Sequence, residues 1–235
     1  MPLDDGQRFI FKAIKSYRVK TDALMCYLFA SKFIADKVTL DAACGIGFGT
    51  FFLAQEAKDV WGIDFSAEAI DYAKKNYSRE NIKFLTGDLL NFKLPDVFFD
   101  VITSFYTLEQ VNNPEQLLDN FRRALMPDGL LILSTPNKKV VSPFKKKPIG
   151  EFNKFEFYKK DLEKMFADKF KIEWYGQRCV FSPLTNYFVR RFVRLIEVVF
   201  KKNFDFYGRR ESCDIKPLNF WRQPKGFIIV LKKIK

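Results

Sequence analysis

The chain has 235 residues, 48% of them hydrophobic, at a mean hydropathy of −0.16, which suits one sizeable α/β domain with an insertion and is marginal for two. It contains no histidine, which excludes imidazole as a metal ligand, as a general base and as a charge switch between about pH 5 and 8. The net charge of +12 is lopsided: residues 1–137 carry 15 Lys/Arg against 18 Asp/Glu, a net of −3, whereas residues 138–235 carry 25 against 10, a net of +15.

From the N-terminus, a helix is expected near 22–35, followed by a first strand at 38–43 (VTLDAA). Strands follow at 59–65 (DVWGIDF), 82–87 (IKFLTG), 99–105 (FDVITSF) and 130–135 (LLILST), with helical patterns near 50–57, 66–77 and 114–126. Such alternation predicts a parallel sheet wrapped by helices. The helix at 114–126 starts at Asn113-Pro114, with proline in the first helical position, and stops before the turn signal Pro127-Asp128-Gly129. Residues 138–150 (KKVVSPFKKKPIG) read as a basic linker, followed by a helix near 158–169 and strands near 171–177 and 226–234. The stretch 178–224 is too long for a hairpin and reads as an insertion. Within it, 186–204 forms an amphipathic helix pattern, with Phe188, Phe192, Leu195 and Val199 on one side and Arg190, Arg194, Glu197 and Lys201 on another. The expected organisation is one domain over 1–235: a helical lead-in at 1–37, a core at 38–137 and a basic part at 138–235.

The four cysteines, Cys26, Cys44, Cys179 and Cys213, are widely spaced and form no C-x-x-C pair. That argues against a disulfide framework or a zinc site, so no metal is expected. No signal-peptide pattern opens the sequence, and no apolar run approaches the ~20 residues that span a bilayer. The expected location is the cytoplasm.

The most informative stretch is 39–50, TLDAACGIGFGT. Gly45, Gly47 and Gly49 permit a sharp turn and close approach to a ligand, directly after a strand and at the start of a helix. Asp64 ends the second strand 19 residues beyond Gly45, where an acidic residue accepts hydrogen bonds from ribose hydroxyls. Asp88 ends the third strand and could accept from an exocyclic amine on the same rim. Nicotinamide loops read G-x-G-x-x-G and rest a pyrophosphate on the helix N-terminus. Here the spacing is G-x-G-x-G, with Asp41 four residues ahead of Gly45. A carboxylate there repels pyrophosphate and suits a ligand carrying an ammonium and a sulfonium, which points to S-adenosylmethionine.

These motifs, together with NIKFLTGDLLNF and FFDVITSFYTLEQVNNPEQLLDNFRRALMPDGLLILSTPN, resemble the core of the class I S-adenosylmethionine-dependent methyltransferases over residues 38–137. More loosely, GQRF…YLFASKF and FEFYKKDLEKMFADKFKIEWYGQ are similar to a branch that modifies sugars, other cell-surface precursors and ubiquinone-type small molecules. The resemblance implies a Rossmann-like α/β fold: a mostly parallel seven-stranded sheet, with an antiparallel last strand and a helical insertion before it. It also implies that Asp41, Ala43, Gly45 and Gly47 line the methionine moiety and that Asp64 holds the ribose. Phe65 would flank the adenine, with Asp88 and Leu89 at its edge, and Ser104 and Phe105 would lie by the methyl-donor end. Ala43 stands where glycine is common, a substitution that is harmless unless the position needs positive φ.

Relatives often read Glu-His after the fourth strand, where this chain has Glu109-Gln110. A base is needed only for an acceptor protonated at neutral pH, such as a hydroxyl, and without histidine the candidates are Glu109 and Tyr106. The expected acceptor is a small, anionic metabolite such as a sugar or glycolipid precursor, bound by the basic half. An RNA methyltransferase is disfavoured, because Ser104-Phe105-Tyr106-Thr107 lacks the Asn/Asp-Pro-Pro-Tyr/Phe pattern of base-amine methylation and no RNA-binding module is recognisable. A non-catalytic cofactor-binding relic or assembly subunit is the third reading. The 186–204 helix either packs on the domain or rests on a membrane surface. The sequence is silent on oligomeric state.

Overall fold

In the computed structural model, which describes residues 17–181, 215–218 and 222–234, helix α1 (Tyr17–Ala30) and a 3-10 turn (Ser31–Phe33) lead into the core. There follow β1 (Val38–Ala42), α2 (Phe48–Leu53), β2 (Asp59–Asp64), α3 (Ala67–Asn76), β3 (Ile82–Thr86), β4 (Phe99–Phe105), α4 (Pro114–Ala124) and β5 (Leu125–Pro136). The remainder comprises α5 (Lys138–Val141), α6 (Lys159–Phe166), β6 (Phe170–Phe181), β7 (Ile215–Pro217) and β8 (Arg222–Lys233). The strands form one sheet in the order β3-β2-β1-β4-β5-β8-β6-β7. The first five pair in parallel, and β8 runs antiparallel to both β5 and β6.

Period-two alternation along the central strands decides which helices cover which face. Leu131 and Leu133 of β5, with Phe227, Ile229 and Leu231 of β8, join Leu117, Leu118 and Phe121 of α4 and Leu162 and Phe166 of α6. The intervening residues, Ile132, Ile228 and Val230, join Cys26, Phe29 and Ala30 of α1 and Leu53 of α2 on the opposite face. Because these strands are buried on both faces, they read as continuous apolar runs. The chain winds from β1 out to β3 and returns to β4 on the other side of β1. This reversal opens a crevice at the carboxyl ends of β1 and β4, the location at which open α/β sheets bind ligands.

Three local expectations are corrected. Pro127-Asp128-Gly129 does not separate a helix from a strand: α4 ends at Ala124 and the turn lies within β5. The register jumps from Phe99↔Leu125 to Val101↔Leu130, and Asp128 takes φ 61°, so the turn residues bulge out of the ladder. The insertion is also shorter than 178–224, because β6 and β8 stay paired out to Phe181↔Arg222. Finally, β7 adds an eighth strand, paired with Tyr175–Gln177 of β6. The amphipathic stretch 186–204 lies outside the described residues, as do residues 1–16.

The loop between β1 and α2 is shaped by backbone conformation. Ala43, Gly45 and Gly47 all have positive φ, at 63°, 55° and 82°. A Cβ on Gly47 would stand 2.6 Å from Ala73 Cβ and 2.7 Å from Phe84 Cζ, so this glycine permits packing of α2 on α3 and β3. Gly49 performs the same service under Tyr27, whose Cζ would lie 1.8 Å from a Cβ there. Gly45 alone has nothing within 4 Å of its would-be Cβ. Ala43 is the one residue of the three whose side chain opposes its conformation, at a cost of roughly 1–2 kcal/mol. Ala43→Gly is therefore expected to stabilise the fold by roughly 0.5–1 kcal/mol after the entropy of a more flexible unfolded chain is subtracted. Urea denaturation checks this, and a lowered midpoint would contradict the strain.

Candidate active site at the carboxyl ends of the strands

Asp41 sits near the end of β1, only 1% exposed. Its Oδ2 accepts from Thr50 Oγ1 at 2.7 Å, and its Oδ1 from Thr103 Oγ1 at 3.1 Å and the Tyr27 hydroxyl at 3.3 Å. Burial raises the carboxyl to about 6 even though the three hydroxyls favour its charged form. Asp41 thus lies beneath the glycine loop in a cage of hydroxyls. Its negative charge acts from below the loop, and Tyr27 ties α1 to it. The Tyr27 ring stands edge-on to Phe105, with centroids 5.0 Å apart, so the same residue also braces the end of β4.

Asp64 ends β2 and joins two loops. Its Oδ2 accepts the Gly45 N–H at 2.8 Å and its Oδ1 the Ser66 N–H at 2.9 Å. Ser66 in turn caps α3 by accepting from the Ala69 N–H. A carboxylate at the end of the second strand is placed to accept from a ribose hydroxyl. The next residue, Phe65, is 67% exposed, a large aromatic face presented to solvent beside the loop. Asp88 lies beyond the end of β3 and is exposed; it accepts from the Leu90 N–H and from Asn91 Nδ2, which fixes the turn at the rim, while Leu89 is buried. Gly45 with open space above it, the Asp64 carboxylate at the end of β2 and the exposed ring of Phe65 fit an adenosine-bearing cofactor.

The end of β4 is more polar inside than its sequence suggests. Ser104 is fully buried and its Oγ has no hydrogen-bond partner; the same holds for Thr135 Oγ1 on β5. Glu109, four residues beyond β4, is 1% exposed, and its Oε2 also lacks a partner. Burial pushes its carboxyl up to about 7. Its backbone carbonyl accepts from the Lys154 and Phe155 N–H groups at 2.8 and 3.0 Å, so the strap leading to α6 is bonded to it.

Tyr106, the second candidate base, is engaged by a partner on β6. Its hydroxyl donates to Gln177 Oε1 at 2.9 Å, and burial holds the phenol well above its ordinary range. So placed, the phenol holds its proton at neutral pH. It belongs to a structural network in which Gln177 Nε2 donates to the Asp22 carbonyl and Arg178 Nε to Asp22 Oδ1 at 2.6 Å, joining α1 to β6. Tyr27, Thr50, Thr103 and this α1–β6 network are not announced by the sequence, because the contacts bring together residues 9 to 156 positions apart. Among the described residues, no group of acidic or cysteine side chains is arranged to hold a metal.

The raised carboxyls set a pH dependence. Asp41 rises from 3.8 to about 6 and Glu109 from 4.5 to about 7, so the folded chain holds these protons more tightly than the unfolded chain. Their contribution to stability is present in full below about pH 4 and is lost as pH rises through 6 to 7. It is on the order of 3 kcal/mol for each group. Glu109→Gln is expected to flatten the decline of stability between pH 4.5 and 7. Denaturation midpoints across that range check this, and an unchanged slope would contradict the burial of an ionisable carboxyl.

Comparison with known proteins agrees with this geometry. Residues 40–133 match the family described as "Methyltransferase domain". A Mycolicibacterium smegmatis protein described as "Probable S-adenosylmethionine-dependent methyltransferase" is 30% identical over 131 residues, 56% of this chain and 50% of the relative. A ubiquinone biosynthesis O-methyltransferase of Coxiella burnetii is 32% identical over 122 residues, 46% of this chain and 49% of the relative. The chain spans about half the length of the curated relatives it matches. A solved S-adenosylmethionine-dependent methyltransferase from Mesorhizobium loti shares the fold, with a TM-score of 0.60 at 17% identity, covering 88% of this chain and 98% of that one. Over residues 40–133 the chain is thus similar to the S-adenosylmethionine-dependent methyltransferases, and it shares their Rossmann-like fold.

Proposed function

We propose that the chain transfers a methyl group from S-adenosylmethionine to a small, anionic hydroxyl acceptor, of the class of a sugar or glycolipid precursor. The observation that carries the hydroxyl reading is Glu109: a buried carboxyl raised to about 7, with an unpartnered oxygen, just beyond the end of β4. A base whose proton affinity matches neutral pH serves an alcohol acceptor, which must lose its proton as it attacks, whereas a carboxylate acceptor is already ionised and needs none. The anionic part of the reading rests on the net charge of +15 over residues 138–235.

When bound, the cofactor supplies an electrophilic methyl group on a sulfonium. The residues of this chain contribute position and proton transfer. Asp64 and Phe65 hold the nucleoside end, and Asp41 supplies negative charge beneath the amino-acid end. The ionised Glu109 accepts the hydroxyl proton as the oxygen attacks in line. Because Glu109 is covered, the acceptor reaches it by displacing the strap at residues 150–157, which is bonded to Glu109's own backbone. Action on RNA is supported less well, because the end of β4 carries no Asn/Asp-Pro-Pro-Tyr/Phe sequence.

Glu109→Gln tests the reading. It is expected to lower kcat by about 10²–10⁴-fold and to remove the rise in rate centred near pH 7, while cofactor affinity stays unchanged. Steady-state kinetics on hydroxyl-bearing anionic acceptors from pH 5 to 9 provide the measurement. Full activity in the variant would remove Glu109 from the mechanism.

A further inference from the structure

Residues 138–160 hold six exposed lysines, Lys139, Lys145, Lys146, Lys147, Lys154 and Lys160, against a single exposed acid, Glu151. The same stretch presents apolar side chains to water: Phe144 is 70% exposed and Ile149 51%, with Val141 and Phe155 also exposed. These exposures do not come from a loose tail. Glu156 accepts from Ser142 Oγ with one carboxylate oxygen and from the Ile149 N–H at 2.9 Å with the other, which closes the 142–149 segment into a loop. A bond from the Lys145 N–H to the Ser142 carbonyl tightens one limb. The closed segment thus carries the exposed Phe144 and Ile149 on either side of the exposed Lys145, Lys146 and Lys147 in sequence.

We infer that this loop docks the protein on an anionic lipid surface, with Phe144 and Ile149 entering the acyl boundary and the lysines meeting the headgroups. Exposed apolar side chains flanking a lysine run are the complement of such a surface, in which the interface supplies both hydrocarbon and negative charge. Nucleic acid would use the lysines but leaves Ile149 and Val141 without a role, since aliphatic side chains offer bases no stacking face. The location gives the surface a purpose. The loop continues through Lys154 and Phe155, whose N–H groups bond the Glu109 carbonyl, so docking brings the interface next to the covered carboxyl. The inference rests on this surface alone, and its failure leaves the methyl-transfer reading untouched.

Flotation of the whole chain with vesicles tests it, comparing phosphatidylcholine alone with phosphatidylcholine containing ~30 mol% phosphatidylglycerol at ~0.15 M salt. The expected result is partitioning to the anionic vesicles only. Partitioning should fall at least ~10-fold for Lys145→Glu/Lys146→Glu/Lys147→Glu and, separately, for Phe144→Ser/Ile149→Ser. S-adenosylhomocysteine affinity, measured by calorimetry, should be unchanged in both variants, which confirms that they fold. Absence of wild-type binding to anionic vesicles, or equal binding by the variants, would overturn the proposal. So would tRNA binding that needs the three lysines but is indifferent to Phe144 and Ile149, accompanied by no vesicle binding.

Discussion

The site depends on one carboxylate that joins two backbone loops. Asp64 takes the Gly45 N–H on one oxygen and the Ser66 N–H on the other, so the loop ahead of α2 and the start of α3 are held at a fixed separation. Charge-assisted bonds of this kind are about twice as strong as neutral ones. Parallel pairing of β1 with β2 sets the distance that the carboxylate must bridge, and the Cys44 N–H to Ile63 carbonyl bond extends that pairing into the loop. With the loop so fixed, Gly45 presents bare backbone and Phe65 an uncovered ring to the same crevice.

Beneath and beside this clamp the protein buries two carboxyls at a cost to stability. Asp41 is compensated by three hydroxyls, whereas Glu109 keeps one oxygen unpartnered. The difference separates their roles. A carboxyl fully engaged by donors shapes structure and supplies charge, while one left short of donors has its proton affinity raised and its acceptor capacity in reserve. Helix α1 is the common brace: Tyr27 reaches Asp41, and Asp22 reaches Gln177 and Arg178 on β6. Helix α1 thus ties the end of β1 to β6.

What was legible in the sequence was local. Apolar runs bounded by Gly, Pro and Asp located β1 to β4, and the spacing from Gly45 to Asp64 placed both members of the clamp. Where pairing over long separations decides the outcome, local signals failed. Pro127-Asp128-Gly129 is a sound turn signal, yet the turn was absorbed as a bulge because Leu125 still finds Phe99 across the ladder. β6 and β8 extend to Phe181 and Arg222 because each supplies the other's hydrogen bonds, which no property of either segment announces. Ala43 is a sharper case. Its identity is visible in the sequence, but its strain depends on a φ of 63° that only the folded loop reveals. The Tyr106 hydrogen bond is a similar case, since Gln177, its partner, lies 71 residues away.

The central claim is that the Asp64 clamp and its glycine loop bind S-adenosylmethionine through its nucleoside. Calorimetric titration with S-adenosylhomocysteine, for the native chain and for Asp64→Ala, tests it most directly. One saturable site is predicted in the native chain. The variant, which loses hydrogen bonds to a charged group worth about 1–3 kcal/mol, should bind roughly 5- to 150-fold more weakly. Equal affinity in a folded variant, or no binding by the native chain, would contradict the claim.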